Sequence, residues 1–81
     1  MADNAFLEVS REAERAQLTY GDFASMHEAY GVLAEEVAEL FEGVRMHQST
    51  EPERGKRIRA EAIQVAAVAL RIAEQAGRVT R

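Results

Sequence analysis

The sequence predicts an all-α protein built from three helices. Apolar side chains recur every three or four residues through most of the chain, which is the periodicity of an amphipathic helix. No stretch alternates apolar and polar residues as a half-buried strand would. A length of 81 residues is near the lower limit that a single hydrophobic core supports. We therefore expect one helical domain over residues 1–81.

The first helix is predicted to run from about Asp3 or Asn4 to about Tyr20, with Gly21 as its terminator. One face of this helix carries apolar or small side chains, namely Phe6, Val9, Ala13 and Ala16. The opposite face is charged and is expected to be solvated, and it contains Arg11, Glu12, Glu14 and Arg15.

The second helix is predicted to begin after Ser25, because Ser25 and Glu28 have the spacing of a capping box, and to end at about His47. An apolar stripe roughly 100° wide predicts its core face, and it consists of Met26, Tyr30, Leu33, Val37, Leu40, Phe41 and Val44. A second, acidic stripe lies beside it and consists of Glu28, Glu35, Glu39 and Glu42. Glu36 lies where the two stripes meet.

The third helix is predicted to follow a polar connector, Gln48–Gly55, and to run from about Lys56 to about Ala76, ending near Gly77. Between Ile58 and Ala73 this helix is apolar on almost every side, so it needs burial on every side. Two companion helices of this length are not expected to surround it. We therefore predict a homo-oligomer, a dimer or a tetramer, that assembles through the third helix.

Composition narrows the class of protein. Hydrophobic residues make up 47% and charged residues 30% of the chain, which is typical of a soluble globular protein. The formal net charge of −4 argues against non-specific binding of nucleic acid, which requires Lys and Arg to neutralise phosphates. There is no cysteine, no signal-peptide pattern and no apolar run long enough to span a membrane. We expect a cytoplasmic protein.

Glu36 and Glu61 are the strongest candidates for a functional site, because each is set into an apolar helix face. An ionised carboxylate in a core is costly unless it is paired or bound to a metal. Glu39 lies three residues after Glu36 and therefore on the same helix surface. An antiparallel third helix could bring Glu61 opposite this pair. Three carboxylates suit Mg²⁺ or Mn²⁺, which prefer oxygen ligands; the alternative is an ordinary solvated helix face.

These glutamates form a recognisable motif. Glu36-Val37-Ala38-Glu39 is an E-x-x-E sequence, and Glu61-Ala62-Ile63-Gln64 follows it after a loop and the start of the next helix. The arrangement resembles the MazG-like all-α nucleotide pyrophosphohydrolases, whose signature is E-x-x-E followed by E-x-x-D. The resemblance covers about Tyr20 to Ala73 and is greatest with a short branch associated with phages and prophages.

The resemblance implies a helical bundle with a dimeric core and Mg²⁺-dependent hydrolysis of nucleoside triphosphates between the α- and β-phosphates. It assigns the metal ligands to Glu36, Glu39 and Glu61. The fourth position departs from the family pattern, because Gln64 stands where the family has Asp. An amide oxygen can still bind a metal, but one negative charge is lost. The alternative is a non-catalytic helical oligomer on the same scaffold that binds nucleotides or another protein.

Other charged residues near these motifs are candidates for further roles. Glu35 or Glu39 could orient and deprotonate the attacking water. A basic cluster before the second acidic motif could meet the phosphates, or could be solvated charge at a helix junction; it consists of Arg54, Lys56, Arg57 and Arg59. Arg71, in the apolar third helix, is expected to pair with a glutamate of the same chain or of a partner chain. No residue marks a base pocket, so the sequence predicts no base preference.

Overall fold

The computed structural model describes residues 4–46 and 51–79. It contains three helices, α1 (Ala5–Tyr20), α2 (Met26–Arg45) and α3 (Glu51–Val79). The described residues form no strand, so the prediction of an all-helical fold is confirmed. None of these three helices is long and apolar enough to cross a membrane.

Helix α1 has the ends that the sequence predicts. The Asn4 side chain accepts a hydrogen bond from the Leu7 N–H at 3.0 Å, as an N-cap residue does. Gly21 follows the last helical residue with a φ of +73°, a conformation that glycine adopts without steric cost. Its N–H donates to the Gln17 carbonyl at 2.9 Å, which closes the last turn. Asp3, the other predicted start, lies outside the described residues.

Helix α2 begins with the predicted cap. Ser25 Oγ accepts a hydrogen bond from the Glu28 N–H at 3.0 Å, and the Glu28 carboxylate accepts one from the Ala24 N–H at 3.0 Å. The reciprocal bonds satisfy N–H groups that have no partner inside the helix. The helix ends at Arg45. The predicted end at His47 lies outside the described residues.

Helix α3 is longer at both ends than predicted. It includes Pro52 and Gly55, which the sequence had placed in a connector, and it continues past Gly77 to Val79. Proline is tolerated in the first turn because the N–H that it lacks would have no helical partner there. A single glycine costs only about 1 kcal/mol in a helix and does not have to end it. The predicted boundaries at Lys56 and Gly77 are therefore wrong.

Helix α2 packs antiparallel and close to α3. Near the end of α2, a Cβ atom built on Gly43 would lie 3.3 Å from Arg57 Cγ and 3.6 Å from Ile58 Cγ1. At the opposite end, Gln75 of α3 donates a hydrogen bond to the Phe23 carbonyl and accepts one from the Phe23 N–H, each at 2.9 Å. These contacts fix the α1–α2 loop against the end of α3.

Helix α1 runs parallel to α3 on another side. Glu8 forms a two-pronged ion pair with Arg59 at 2.9 and 2.7 Å, and Gln17 accepts a hydrogen bond from Arg71 at 3.2 Å. The buried residues of α1 are Ala13 and Ala16. In the described part of the chain, α1 and α2 each pack against α3 and not against one another. A cleft therefore remains between α1 and α2, with α3 as its floor.

The core of one chain is small, and most of its members have short side chains. Its buried apolar residues are Ala13, Ala16, Phe23, Ala29, Ala67 and Val68. Most of the predicted core stripe of α2 is exposed instead. The exposed fraction of the residue surface is 40–69% for Met26, Tyr30, Val37, Phe41 and Val44. The prediction is therefore wrong for the protomer. Ala29 and Gly43 face inward and permit a close approach to α3, so the large side chains point elsewhere.

Helix α3 is also covered differently from the prediction. Large apolar residues of α3 whose burial the structure describes are buried or half-buried, and they include Ile63, Val65, Val68, Leu70 and Ile72. The apolar residues that it leaves exposed are alanines, including Ala62, Ala69 and Ala73. Two helices thus cover the large side chains of α3 at least in part, and the largest exposed apolar side chains belong to α1 and α2.

The two interior glycines of α2 should respond oppositely to substitution. Gly31 has no atom within 4 Å of the position of a Cβ, so Gly31→Ala should stabilise the fold by about 1 kcal/mol through helix propensity. Gly43→Leu should destabilise it by about 1–3 kcal/mol, because the new side chain meets Arg57 and Ile58. Urea denaturation of both variants checks this, and equal shifts for the two would contradict the packing described.

Candidate metal centre and interhelical cleft

Three glutamates that lie on two helices come together. Glu36, Glu39 and Glu61 each place one carboxylate oxygen so that the three oxygens lie within 4.8 Å of one another. Glu36 and Glu39 are one turn apart on α2, and the antiparallel direction of α3 brings Glu61 to them. Glu36 and Glu61 are half-buried, whereas Glu39 and its neighbour Glu35 are exposed. We call Glu36, Glu39 and Glu61 the acidic cluster.

The surroundings of Glu36 in the acidic cluster stabilise its ionised carboxylate poorly. Its Oε1 atom is buried and has no hydrogen-bond partner. Burial is the main cause that raises the pKa of Glu36, and the negative charges of Glu39, Glu61, Glu35 and Glu12 raise it further. Both effects penalise the ionised form. A cation at this position would relieve both.

The acidic cluster has the donor set of a site for a hard divalent cation. Two oxygens on opposite sides of one Mg²⁺ lie about 4.2 Å apart, since each bond is about 2.1 Å long. The observed spread of at most 4.8 Å is close to this value, and glutamate side chains are flexible enough to close the difference. The unpartnered Oε1 of Glu36 also offers a free ligand atom. The residues present therefore fit Mg²⁺ or Mn²⁺.

A cleft of about 380 Å³ lies beside the acidic cluster, between α1 and α2. We call it the interhelical cleft. Helix α3 forms its floor with Gln64, Ala67, Val68 and Arg71, and the α1–α2 loop closes one end with Gly21, Asp22 and Phe23. Its walls come from α1 and α2 and are Glu12, Arg15, Ala16, Tyr20, Glu28, Val32 and Glu36. Glu36 thus belongs to both the acidic cluster and this cleft.

Gln64, the predicted fourth metal ligand, lies beside Glu12 of α1. Hydrogen bonds from Arg15, at 3.0 and 2.6 Å, are the main cause that lowers the pKa of Glu12. The Gln64 amide and the Arg71 charge lower it further. The sequence places both residues on a solvated face, which is confirmed for Arg15, whose side chain is 57% exposed, and wrong for Glu12, whose side chain is 19% exposed. The position of Glu12 could have been inferred, because it lies four residues before the buried Ala16.

The predicted phosphate-binding cations do not line the interhelical cleft. Arg54 donates a hydrogen bond to the Val44 carbonyl at 2.6 Å, and Arg57 Nη1 lies 3.3 Å from Met46 Sδ. Both contacts join the start of α3 to the end of α2. Lys56 lines a different cleft, of about 680 Å³, between α1 and α3. A role for these cations in substrate binding stays a prediction, and the fold does not place them around Glu36.

Arg71 is a buried cation on the floor of the interhelical cleft. Only 7% of its surface is exposed. Its Nε donates to Gln17 Oε1 at 3.2 Å, its Nη2 donates to the Gly21 carbonyl at 2.9 Å, and its guanidinium lies 4.4 Å from the centre of the Phe23 ring. None of these partners is charged. Within the described residues of one chain, Arg71 forms no ion pair with a glutamate, and pairing with a partner chain stays a prediction.

No protein-family model, no curated protein and no solved structure matches this chain. The likeness to MazG-like pyrophosphohydrolases is therefore carried by the motif residues themselves. Three of them form the acidic cluster, and the fourth, Gln64, lines the adjoining cleft. Membership of that family stays a prediction.

In buffer with a chelator, Glu36→Gln should stabilise the protein at neutral pH. The pKa of Glu36 is higher in the folded than in the unfolded chain, so ionisation costs stability as the pH rises through the interval between these two pKa values. The gain from the substitution should therefore be small at about pH 4 and larger at about pH 7.5. Thermal unfolding at both pH values measures it.

Glu42→Gln is the matched control, because Glu42 is exposed on the same helix and pairs with Arg45 at 3.0 Å. It should give no such gain at neutral pH. A gain for Glu36→Gln that did not depend on pH would mean that ionisation of Glu36 is not the source of the effect.

Proposed function

We propose that this protein is a Mg²⁺-dependent nucleoside triphosphate pyrophosphohydrolase of the house-cleaning type. It would convert a nucleoside or deoxynucleoside triphosphate and water into the monophosphate and pyrophosphate. The observation that carries the proposal is the meeting of Glu36, Glu39 and Glu61, with one buried oxygen that has no partner. The motif resemblance adds support, since the same three positions are the ones that it assigns to the metal.

The chain's own residues divide into three tasks. Glu36, Glu39 and Glu61 hold the ion, and the side-chain oxygen of Gln64 is available as a further ligand. A bound divalent ion supplies positive charge that offsets the charge of the phosphates. Glu39 of the cluster and its neighbour Glu35 are exposed, and either can accept the proton of the water that attacks the α-phosphorus. The bond from that phosphorus to the bridging oxygen breaks, and pyrophosphate leaves.

Gln64 supports the alternative function. A neutral amide in place of a carboxylate leaves the site with one negative charge fewer, which weakens the attraction for a divalent ion. The Gln64 amide also lies beside Glu12 and contributes to lowering its pKa. A chain with this substitution could bind a nucleotide without hydrolysing it. The alternative is accordingly a nucleotide-binding or protein-interaction module on the same scaffold.

Divalent metal should raise the melting temperature of the wild-type protein. Binding to the folded state alone stabilises it by RT ln(1 + [L]/Kd), which is about 1.4 kcal/mol at 1 mM ion for a Kd of about 0.1 mM. Glu36→Gln and Glu61→Gln should abolish this response to Mg²⁺ or Mn²⁺, whereas Glu42→Gln should retain it. Identical responses in all four proteins would rule out the acidic cluster as the site.

A pyrophosphate-release assay across the common ribo- and deoxyribonucleoside triphosphates separates the two functions. We expect Mg²⁺-dependent release by the wild type and none by Glu61→Gln. Gln64→Asp restores a fourth carboxylate and should tighten metal binding and increase release. A metal response and nucleotide binding without any release, in both the wild type and Gln64→Asp, would favour the non-catalytic module.

We also propose that the chain forms a homo-oligomer, a dimer or a tetramer. The core of one chain is small, and large apolar side chains remain exposed on α2, among them Tyr30 at 69% and Phe41 at 57%. They lie three, four or seven residues apart and therefore form one stripe, which is typical of a helix that packs on another helix. The prediction from sequence placed the interface on α3. The exposed side chains of α3 are smaller, so we extend the interface to α2.

Light scattering after size-exclusion chromatography should give a mass at least twice that of one chain. Phe41→Lys should reduce this mass or unfold the protein, because it places a charge in the apolar stripe of α2. Ala69→Lys, on the exposed face of α3, tests the interface expected from the sequence. A folded wild-type monomer at micromolar concentration would contradict self-association on either helix.

A further inference from the structure

The interhelical cleft contains a buried positive charge that lacks an anionic partner. Arg71 is 93% buried, given its exposure of 7%, and its two hydrogen bonds go to the neutral oxygens of Gln17 and Gly21. Within the described residues, these bonds use two of the five N–H donors of an arginine. Burying an ion without a counter-ion costs several kcal/mol. A buried arginine in this setting is suited to bind an anionic ligand.

Two carboxylates that line the cleft are already engaged by other cations. Glu12 binds Arg15 through two hydrogen bonds, and Asp22 binds Arg78 at 2.6 Å. Arg71 lies close enough to lower the pKa of both carboxyl groups, but it forms an ion pair with neither. Its charge is therefore only partly balanced within the chain.

The guanidinium of Arg71 is also held in place before any ligand arrives. Gln17 and Gly21 fix two of its nitrogens, and the Phe23 ring lies 4.4 Å from its central carbon. An arginine that is fixed in this way loses little conformational entropy when it binds an anion. Arg15, the other arginine of the cleft, is exposed, and its charge is already balanced by an ion pair with Glu12. Arg71 is thus the cation best placed to receive a phosphate.

We propose that Arg71 binds the pyrophosphate portion of a di- or triphosphate in the interhelical cleft, next to an ion held by the acidic cluster. The proposal rests on the proposed function, because Glu36 joins the two sites by lining the cleft and belonging to the cluster. A pyrophosphate with its metal ion then satisfies two groups that the chain leaves without charged partners: the pyrophosphate binds the Arg71 guanidinium, and the ion binds Glu36 Oε1. Arg71, rather than the basic cluster at the start of α3, is the phosphate-binding residue.

Calorimetric titration with inorganic pyrophosphate, in Mg²⁺ and separately in EDTA, tests the proposal. Arg71→Gln should weaken pyrophosphate binding in Mg²⁺ by at least about tenfold, since charge-assisted hydrogen bonds are lost. Arg45→Gln is the control, because Arg45 is exposed and pairs with Glu42, and neither residue lines the cleft. It should bind pyrophosphate as the wild type does. Unchanged affinity in Arg71→Gln would overturn the proposal.

A measurement on the wild type covers the case in which Arg71→Gln does not fold. The Nε–H of Arg71 is buried and hydrogen-bonded to Gln17, so its proton should exchange slowly enough to give a separate NMR signal. Pyrophosphate should shift this signal. The proposal would be overturned if pyrophosphate saturated the protein without shifting this signal. It would also be overturned if pyrophosphate bound neither in Mg²⁺ nor in EDTA.

The two proposals fail in different ways. If metal raises the melting temperature of Arg71→Gln as it does that of the wild type, and pyrophosphate still binds normally, then the metal site stands and the role of Arg71 is wrong. If the wild type shows no metal response, but pyrophosphate in EDTA shifts the Arg71 signal, then the phosphate site stands and the metal-dependent function is wrong.

Discussion

The arrangement of this protein depends on α3 as the packing partner of both other helices. Helix α2 approaches it through Gly43, and α1 is joined to it by the Glu8–Arg59 ion pair. Because α1 and α2 do not pack against each other in the described residues, the space between them becomes the interhelical cleft. The same helix supplies Glu61 to the acidic cluster and Arg71 to the cleft floor. Any change in how α3 packs therefore changes both candidate binding regions together.

The ionisable side chains inside this small fold differ in how well their surroundings stabilise the charged form. Glu12 accepts two hydrogen bonds from Arg15, so its ionised form is favoured. Glu36 has the opposite setting, since burial and neighbouring carboxylates disfavour its ionised form. Arg71 has polar partners but no anion. Folding thus leaves one negative and one positive group incompletely satisfied along the same cleft, and a metal with a phosphate ligand has the charges that both groups lack.

The sequence predicted the helices and the acidic cluster, because both depend on local spacing. Glu36 and Glu39 share a surface wherever α2 is helical, and one antiparallel turn suffices to add Glu61. The prediction of the α2 core from the sequence was wrong. Large apolar side chains identify an apolar helix face, but the pattern does not indicate which helix packs against that face. Small residues such as Ala29 and Gly43 decide the contact with α3 instead. The interhelical cleft could not be predicted, because it depends on the position of α1. That position is determined by long-range contacts with α3, which the periodicity of the sequence does not reveal.

The absence of an α1–α2 contact also has a kinetic consequence. The walls of the interhelical cleft belong to different helices that meet only through α3 and the loop before Ser25. A ligand can therefore enter from the side, along the length of the cleft, without first separating two packed surfaces. Association that needs no prior opening is limited by diffusion and orientation. Under the proposal made for Arg71, ligand exchange is then governed chiefly by how fast the anion leaves this residue.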